Sequence, residues 1–222
     1  MGDKLPEQCY SKEGFHMDAL FNIFEFIGTI SFAVSGAMEA IRHKMDLFGV
    51  AMLGVITATG GGVLRDLVIG ATPPRVFRDP TWAVVALIVA VLTFIIMKSL
   101  HVYKIGFAHI RETMYQFADT AGLAAFTVLG IESAGAGNGA LLLFVGMITG
   151  VGGGVMRDVL AGTVPSIFRR QIYALASAAG ALANILLMRI LPEEAAMLCG
   201  FAVVVVVRTL AIRFNWNLPR VD

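Results

Sequence analysis

GGGVLRDLVIG, running from Gly60 to Gly70, sets three consecutive glycines and an Arg-Asp pair inside an otherwise apolar run. The pattern returns as GGGVMRDVLAG from Gly152 to Gly162, with the glycines, the Val, the Arg-Asp pair and the closing Gly in the same order. A membrane anchor needs neither glycines, each of which costs a helix about 1 kcal/mol against Ala, nor charges that lipid rejects. Paired copies therefore mark a function.

The copies sit in a longer repeat. Gly152 follows Gly60 by 92 positions (152 − 60), and the same offset relates Gly54 to Gly146 and Thr57 to Thr149. Downstream, PRVFR at Pro74 to Arg78 matches PSIFR at Pro165 to Arg169. Upstream, with small slips, Gly28, Phe32, Val34 and Gly36 match Gly122, Phe126, Val128 and Gly130. Each unit holds three apolar spans, and an odd number makes the second copy enter the membrane from the opposite side.

Composition places those spans in a bilayer. The 222 residues are 57% hydrophobic and 15% charged, with a mean hydropathy of +0.78, too apolar for a water-soluble domain of this length. Runs long enough to span lie at residues 19–41, 47–70, 81–97, 110–131, 140–162, 172–188 and 195–212. The sequence thus predicts an all-α integral membrane fold of seven transmembrane helices. A polar tail (1–18) precedes two inverted three-helix repeats (19–100 and 108–190), and a seventh helix with a C-terminal tail fills 195–222. Residues 81–97 read as a lipid-facing helix. Arg208, near the end of the seventh span, is expected to snorkel to the headgroups.

The N-terminal side of such a plan collects Lys4, Lys12, Arg75, Arg78 and Arg189. The other side collects Arg42, Lys44, Lys98, Lys104, Arg111, Arg169, Arg170, Arg213 and Arg220. Positive loops stay cytoplasmic, so the N-terminus is expected outside and the C-terminus inside. The first apolar run begins near Ala19 with no cleavage site, and the mature chain is expected to be the whole chain.

Other functions find little support. A net charge of +1 without a basic block gives no reason to expect nucleic acid. Cys9 and Cys199 make no disulfide framework. His16, His43, His101 and His109 lack metal-ligand spacing, so no metal is expected beyond transient monovalent cations. With no nucleophile elbow, phosphate loop or zinc motif, neither an enzyme nor a cofactor is expected.

Candidate functional residues cluster at the triplets. Three glycines in a row expose backbone on all sides, which suits a helix broken or hinged at Gly60, Gly61, Gly62 and at Gly152, Gly153, Gly154. Carbonyls before each break would meet a cation, N–H groups after it an anionic group, and Thr57 and Thr149 add hydroxyls. Glycines also serve close helix packing, and that alternative stands beside the first. Arg65 and Arg157 are costly in lipid unless compensated. By position in the repeat, Glu25 is expected to pair with Arg65 and Asp119 with Arg157. Asp66 and Asp158 are expected to point elsewhere as free carboxylates. The charges equally suit purely structural salt links. Gly28, Ser31 and Ser35 are open to either a neighbouring subunit or internal packing.

These residues resemble a known family. Twin GGGVxRD motifs in the second span of each repeat, DTAGLAAFTVLG at Asp119 to Gly130 and P-x-[VI]-F-R after each triplet look like the prokaryotic branch of the trimeric intracellular cation channels. Small bacterial proteins of this kind are also described as carrying two glycine transporter domains. The resemblance implies a homotrimer in a bacterial cell membrane, surrounded by lipids, with a pore in each subunit. It further implies second and fifth spans kinked at the glycines and potassium or other monovalent cations as the permeant species. The Lys-Glu-Val signature of the animal members is absent at both triplets. A secondary transporter of glycine or another small amino acid is the alternative, since a zwitterion would use both ends of a broken helix. A passive membrane scaffold is the third.

Overall fold

The computed structural model describes residues 12–99, 108–135, 137–169 and 172–216. All secondary structure among them is helical: α1 (Lys12–Arg42), α2 (Leu47–Val68), α3 (Arg75–Arg78), α4 (Thr81–Ser99), α5 (Ala108–Ala134), α6 (Gly139–Leu160), α7 (Ser166–Arg169), α8 (Tyr173–Leu187) and α9 (Glu193–Arg213).

The two triplet-bearing helices begin and end by the same local chemistry. Asp46 accepts a hydrogen bond from the Gly49 amide at 2.8 Å to start α2, and Asn138 accepts one from Leu141 at 2.8 Å to start α6. Each side chain satisfies a backbone donor that has no partner inside the helix. At the other end Gly70 (φ 76°) and Gly162 (φ 72°) turn left-handed. The next amides, of Ala71 and Thr163, then reach back to the carbonyls of Asp66 and Asp158, 2.8 and 2.9 Å away. That is the Schellman ending, and only the left-handed glycine opens it without strain.

Packing repeats as well. Helices α1, α2 and α4 lie against one another, as do α5, α6 and α8, and the two groups meet where α1 crosses α5 and α2 crosses α6. Helix α9 packs on α8 and α5. The crossings are antiparallel and reciprocal. A Cβ on Gly28 would stand 2.9 Å from the Phe126 ring, and one on Gly122 would run into the Phe32 ring. The two rings sit 5.3 Å apart between those glycines. Phe32, Leu123, Val128 and Leu129 are almost wholly enclosed there. Gly28 thus packs internally, and Ser35 hydrogen-bonds the Arg157 guanidinium.

By length and apolarity five described helices qualify to cross a membrane: the Ala19–Arg42 part of α1, then α2, α4, α6 and α9. This makes the chain an integral membrane protein. Of the seven expected spans, α8 has 15 residues, about 22 Å at 1.5 Å each against a hydrocarbon core of about 30 Å. Helix α5 has the length, 27 residues, but carries Arg111, Glu112, Asp119 and Glu132. It is surrounded by α1, α6, α8 and α9, and a helix faced by protein can hold polar groups that lipid would expel. Helix α4 is the opposite case. Leu87, Ile88, Leu92, Ile95 and Ile96 are exposed along it, as suits a helix bathed in lipid.

Candidate functional site

The helices do not break at the glycines. Both α2 and α6 run uninterrupted through Gly60–Gly62 and Gly152–Gly154, and none of the six glycines has a positive φ. The expectation of a broken helix with freed carbonyls is therefore corrected, and the reason is close approach. A Cβ on Gly61 would collide with the carbonyl oxygen of Thr149, and a Cβ on Gly153 with that of Thr57. The two backbones touch where only hydrogen fits, which allows weak Cα–H···O contacts across the crossing. The flanks show the same exchange: a Cβ on Gly152 would stand 2.8 Å from Leu64, and one on Gly60 2.5 Å from Met156. Gly62 differs, because a Cβ there would meet nothing closer than a side-chain nitrogen of Arg65, on the same helix, at 3.8 Å.

Thr57 and Thr149 are completely buried at this crossing. Their hydroxyls donate back to the carbonyls of Leu53 and Val145, each at 2.6 Å. They present acceptor lone pairs and no free proton.

Beyond the crossing each chain half builds a charged cluster. Antiparallel packing puts Arg65 and Arg157 at opposite ends of it. Each arginine folds onto the aspartate next in sequence: Arg65 Nε lies 2.8 Å from Asp66, and Arg157 Nε 2.8 Å from Asp158. The second oxygen of each aspartate accepts the first amide of a short helix, Arg75 of α3 at 2.7 Å and Ser166 of α7 at 2.6 Å. Asp66 and Asp158 are thus not the free carboxylates expected from helical spacing. A long arginine side chain reaches its neighbour by curling back, and each aspartate ties the next loop to the end of its helix.

The second half is sealed. Arg157, wholly buried, meets Asp119 at 2.6 Å and lies over the Tyr115 ring at 5.0 Å. Arg208 is 3.7 Å from the other Asp119 oxygen and stacks over Tyr173 at 4.7 Å. The expected snorkelling of Arg208 is overturned, since it is only 4% exposed and faces inward. The acid on α5 and the aromatic on α8 give its charge a better partner than the headgroups do.

The first half is open. Glu25 does not make the expected ion pair with Arg65. Its ion-pair partner is Arg75, 3.4 Å away on α3, with the Trp82 side chain as a hydrogen-bond partner and Arg65 in electrostatic range. Arg75 lies over the Phe21 ring at 5.7 Å. Beside them is a cavity of about 50 Å³ lined by Glu25, Thr29, Thr59, Arg65, Asp66, Arg75, Asp79 and Trp82, room for a few waters. Asp79 accepts hydrogen bonds from the Thr81 hydroxyl and amide, which hold its carboxyl below the usual range.

Sequence reasoning missed Arg75, Trp82, Tyr115 and Tyr173 as members of these clusters. A signal existed, because Phe21 and Tyr115 are related by the offset of Glu25 and Asp119, and Trp82 and Tyr173 by that of the P-x-[VI]-F-R motifs. The two clusters are equivalents in sequence, and differ in that one encloses space and the other fills it.

A family model described as Glycine transporter matches residues 22–98 and 116–189. The UPF0126 inner membrane protein YadS of Escherichia coli (strain K12) is 37% identical over 199 residues, covering 88% of this chain and 93% of its own. A UPF0126 membrane protein of Deinococcus radiodurans is 42% identical over 185 residues, covering 82% and 80%. Among solved structures, one described as the structural basis for conductance through TRIC cation channels matches with a TM-score of 0.78 and 36% identity, covering 91% of this chain and 97% of that one. The TRIC trimeric intracellular cation channel orthologue from Rhodobacter sphaeroides matches with a TM-score of 0.78 and 35% identity, covering 89% and 99%.

Proposed function

We propose, from the premise that this chain belongs to the glycine-transporter family and to the TRIC channel family, that it is a cation channel passing potassium through a path of its own in each subunit. The observation that carries the reading is the charged cavity at the end of α2. Its lining sets three carboxylates, Glu25, Asp66 and Asp79, against two guanidinium groups, Arg65 and Arg75. An excess of negative charge inside a membrane protein favours an entering cation. The likeness to solved cation channels at 36% identity adds the second support.

In this reading residues 19–100 and 108–190 are inverted three-span repeats, with α9 as a seventh span. The path runs from the Glu25 cavity past the α2–α6 crossing toward the Asp119 cluster, and Gly60–Gly62 and Gly152–Gly154 act as the pivot between them. Three chains assemble in a bacterial inner membrane with the N-terminus outside. The reciprocal contacts of α1 with α5 and of α2 with α6 support the repeats, and the Escherichia coli relative, named an inner membrane protein, supports the location. A glycine carrier is disfavoured because α2 and α6 are unbroken, so no helix end at the crossing meets a zwitterion.

Purified protein in a planar bilayer provides the test. Unitary potassium currents are expected, whereas saturable uptake of labelled glycine into liposomes without such currents would overturn the channel.

A further inference from the structure

Of the two equivalent acids, Asp119 is held at 2.6 Å by a fully buried arginine. Glu25 is held only at 3.4 Å, by an arginine whose side chain is 43% exposed. Glu25 itself is 9% exposed, and its Oε2 is buried without a hydrogen bond. A buried carboxylate oxygen lacking a donor is expensive, and the cost falls when a cation comes to it. Next to it is the cavity, whose lining includes the Thr29 and Thr59 side chains as well as the excess of carboxylate charge. The arginine at its edge is attached to a helix of four residues, α3, anchored through the bond from its own amide to Asp66. The backbone of Arg75 is fixed, while its half-exposed side chain rests only on Glu25 and the Phe21 ring.

We infer that the Glu25 carboxylate is a binding site for a monovalent cation and that Arg75 is a tethered cation competing for it. The inference rests on the channel reading for its consequence to flux, though the binding itself does not need it. With Arg75 on Glu25 the cavity holds one excess negative charge behind a guanidinium. When Arg75 swings outward, Glu25 and the threonine hydroxyls present oxygen ligands of the hardness that potassium takes. Arg75 is in this sense a positioning residue for occupancy, acting through Glu25. Among the described residues the second half has no such device, because Tyr115, Tyr173 and Arg208 fill the equivalent space around Asp119.

Two readouts test it. In a Trp216→Phe background, Trp82 in the cavity wall is the fluorophore, and potassium chloride is titrated at constant ionic strength with N-methyl-D-glucamine chloride. Arg75→Gln is expected to bind potassium about fivefold more tightly than the parent, the effect of removing one half-exposed ion pair. Arg75→Lys keeps a cation there and is expected to stay near the parent, which also shows that the site folds. The gain is expected to vanish in Glu25→Gln/Arg75→Gln. An unchanged potassium dependence in Arg75→Gln, the same gain in Arg75→Lys, or a gain that survives in the double variant overturns the inference. In bilayers the Arg75→Gln conductance is expected to rise most at low potassium. A parent protein that carries no current would remove the channel reading and leave the fluorescence result to decide the binding site.

Discussion

Glycine at 61 and glycine at 62 are neighbours with opposite jobs. A Cβ at 61 meets a backbone carbonyl, whereas at 62 it meets nothing closer than 3.8 Å. Gly61→Ala and Gly153→Ala should each destabilise the protein by about 1–3 kcal/mol through overpacking. Gly62→Ala should instead be neutral or stabilising, by up to about 1 kcal/mol of helix propensity. Thermal unfolding of the detergent-solubilised variants checks the contrast, and equal effects at 61 and 62 would remove the crossing as the reason for the triplet. The charged residues divide similarly. Asp119→Asn leaves Arg157 buried with a lost partner and should cost about 3–5 kcal/mol. Glu25→Gln loses a half-exposed pair and should cost about 1 kcal/mol or less. Position in the repeat pairs Asp119 with Arg157 but by the same rule pairs Glu25 with Arg65, and it is blind to Arg75, whose position depends on how a proline-rich loop folds back and not on any helical period. The Arg-Asp neighbours misled for a related reason: helical spacing aims Cβ atoms, while a guanidinium on three methylenes chooses its own partner.

At the scale of elements, the limits of α2 and α6 were legible from where the apolar runs begin and end, and the structure adds the chemistry that fixes them, at Asp46, Asn138, Gly70 and Gly162. The continuity of α2 and α6 was not legible. A run of glycines signals weak propensity, and the sequence does not show that another backbone presses on the same spot and rewards the missing side chains. The short helices α3 and α7 show how an aspartate organises the loop beyond its helix. Asp66→Asn and Asp158→Asn weaken the charge-assisted bonds to the Arg75 and Ser166 amides. Hydrogen exchange at these two amides should accelerate by about tenfold, the equivalent of losing roughly 1.4 kcal/mol. Exchange unchanged from the parent would show that the prolines alone hold the loops.

Across the whole molecule, helix α9 breaks the balance of the two halves. It brings Arg208 to Asp119 and, among the described residues, has no counterpart beside Glu25. A path with one filled and one open end should pass current unequally in the two directions, and the current-voltage curve of oriented channels in symmetrical potassium chloride should therefore bend. Arg208→Gln should straighten it; an unaltered bend would place the asymmetry elsewhere. Sidedness has its own check. In a Cys199→Ala protein, a membrane-impermeant maleimide added to intact cells should label Cys9 if the N-terminus faces outward, and labelling only after lysis would reverse the proposed orientation.

The reciprocal seat of Gly61 under Thr149 and of Gly153 under Thr57 also limits how the halves can move. Sliding one helix along the other by a single residue, about 1.5 Å, would push Leu64 and Met156 into the opposing glycine backbone. A change of crossing angle about that point displaces the contact least, since the hydrogens of Gly61 and Gly153 face the carbonyls of Thr149 and Thr57 at its centre. The two helices are built as the blades of scissors, so widening one mouth of the bundle changes the angle at the other.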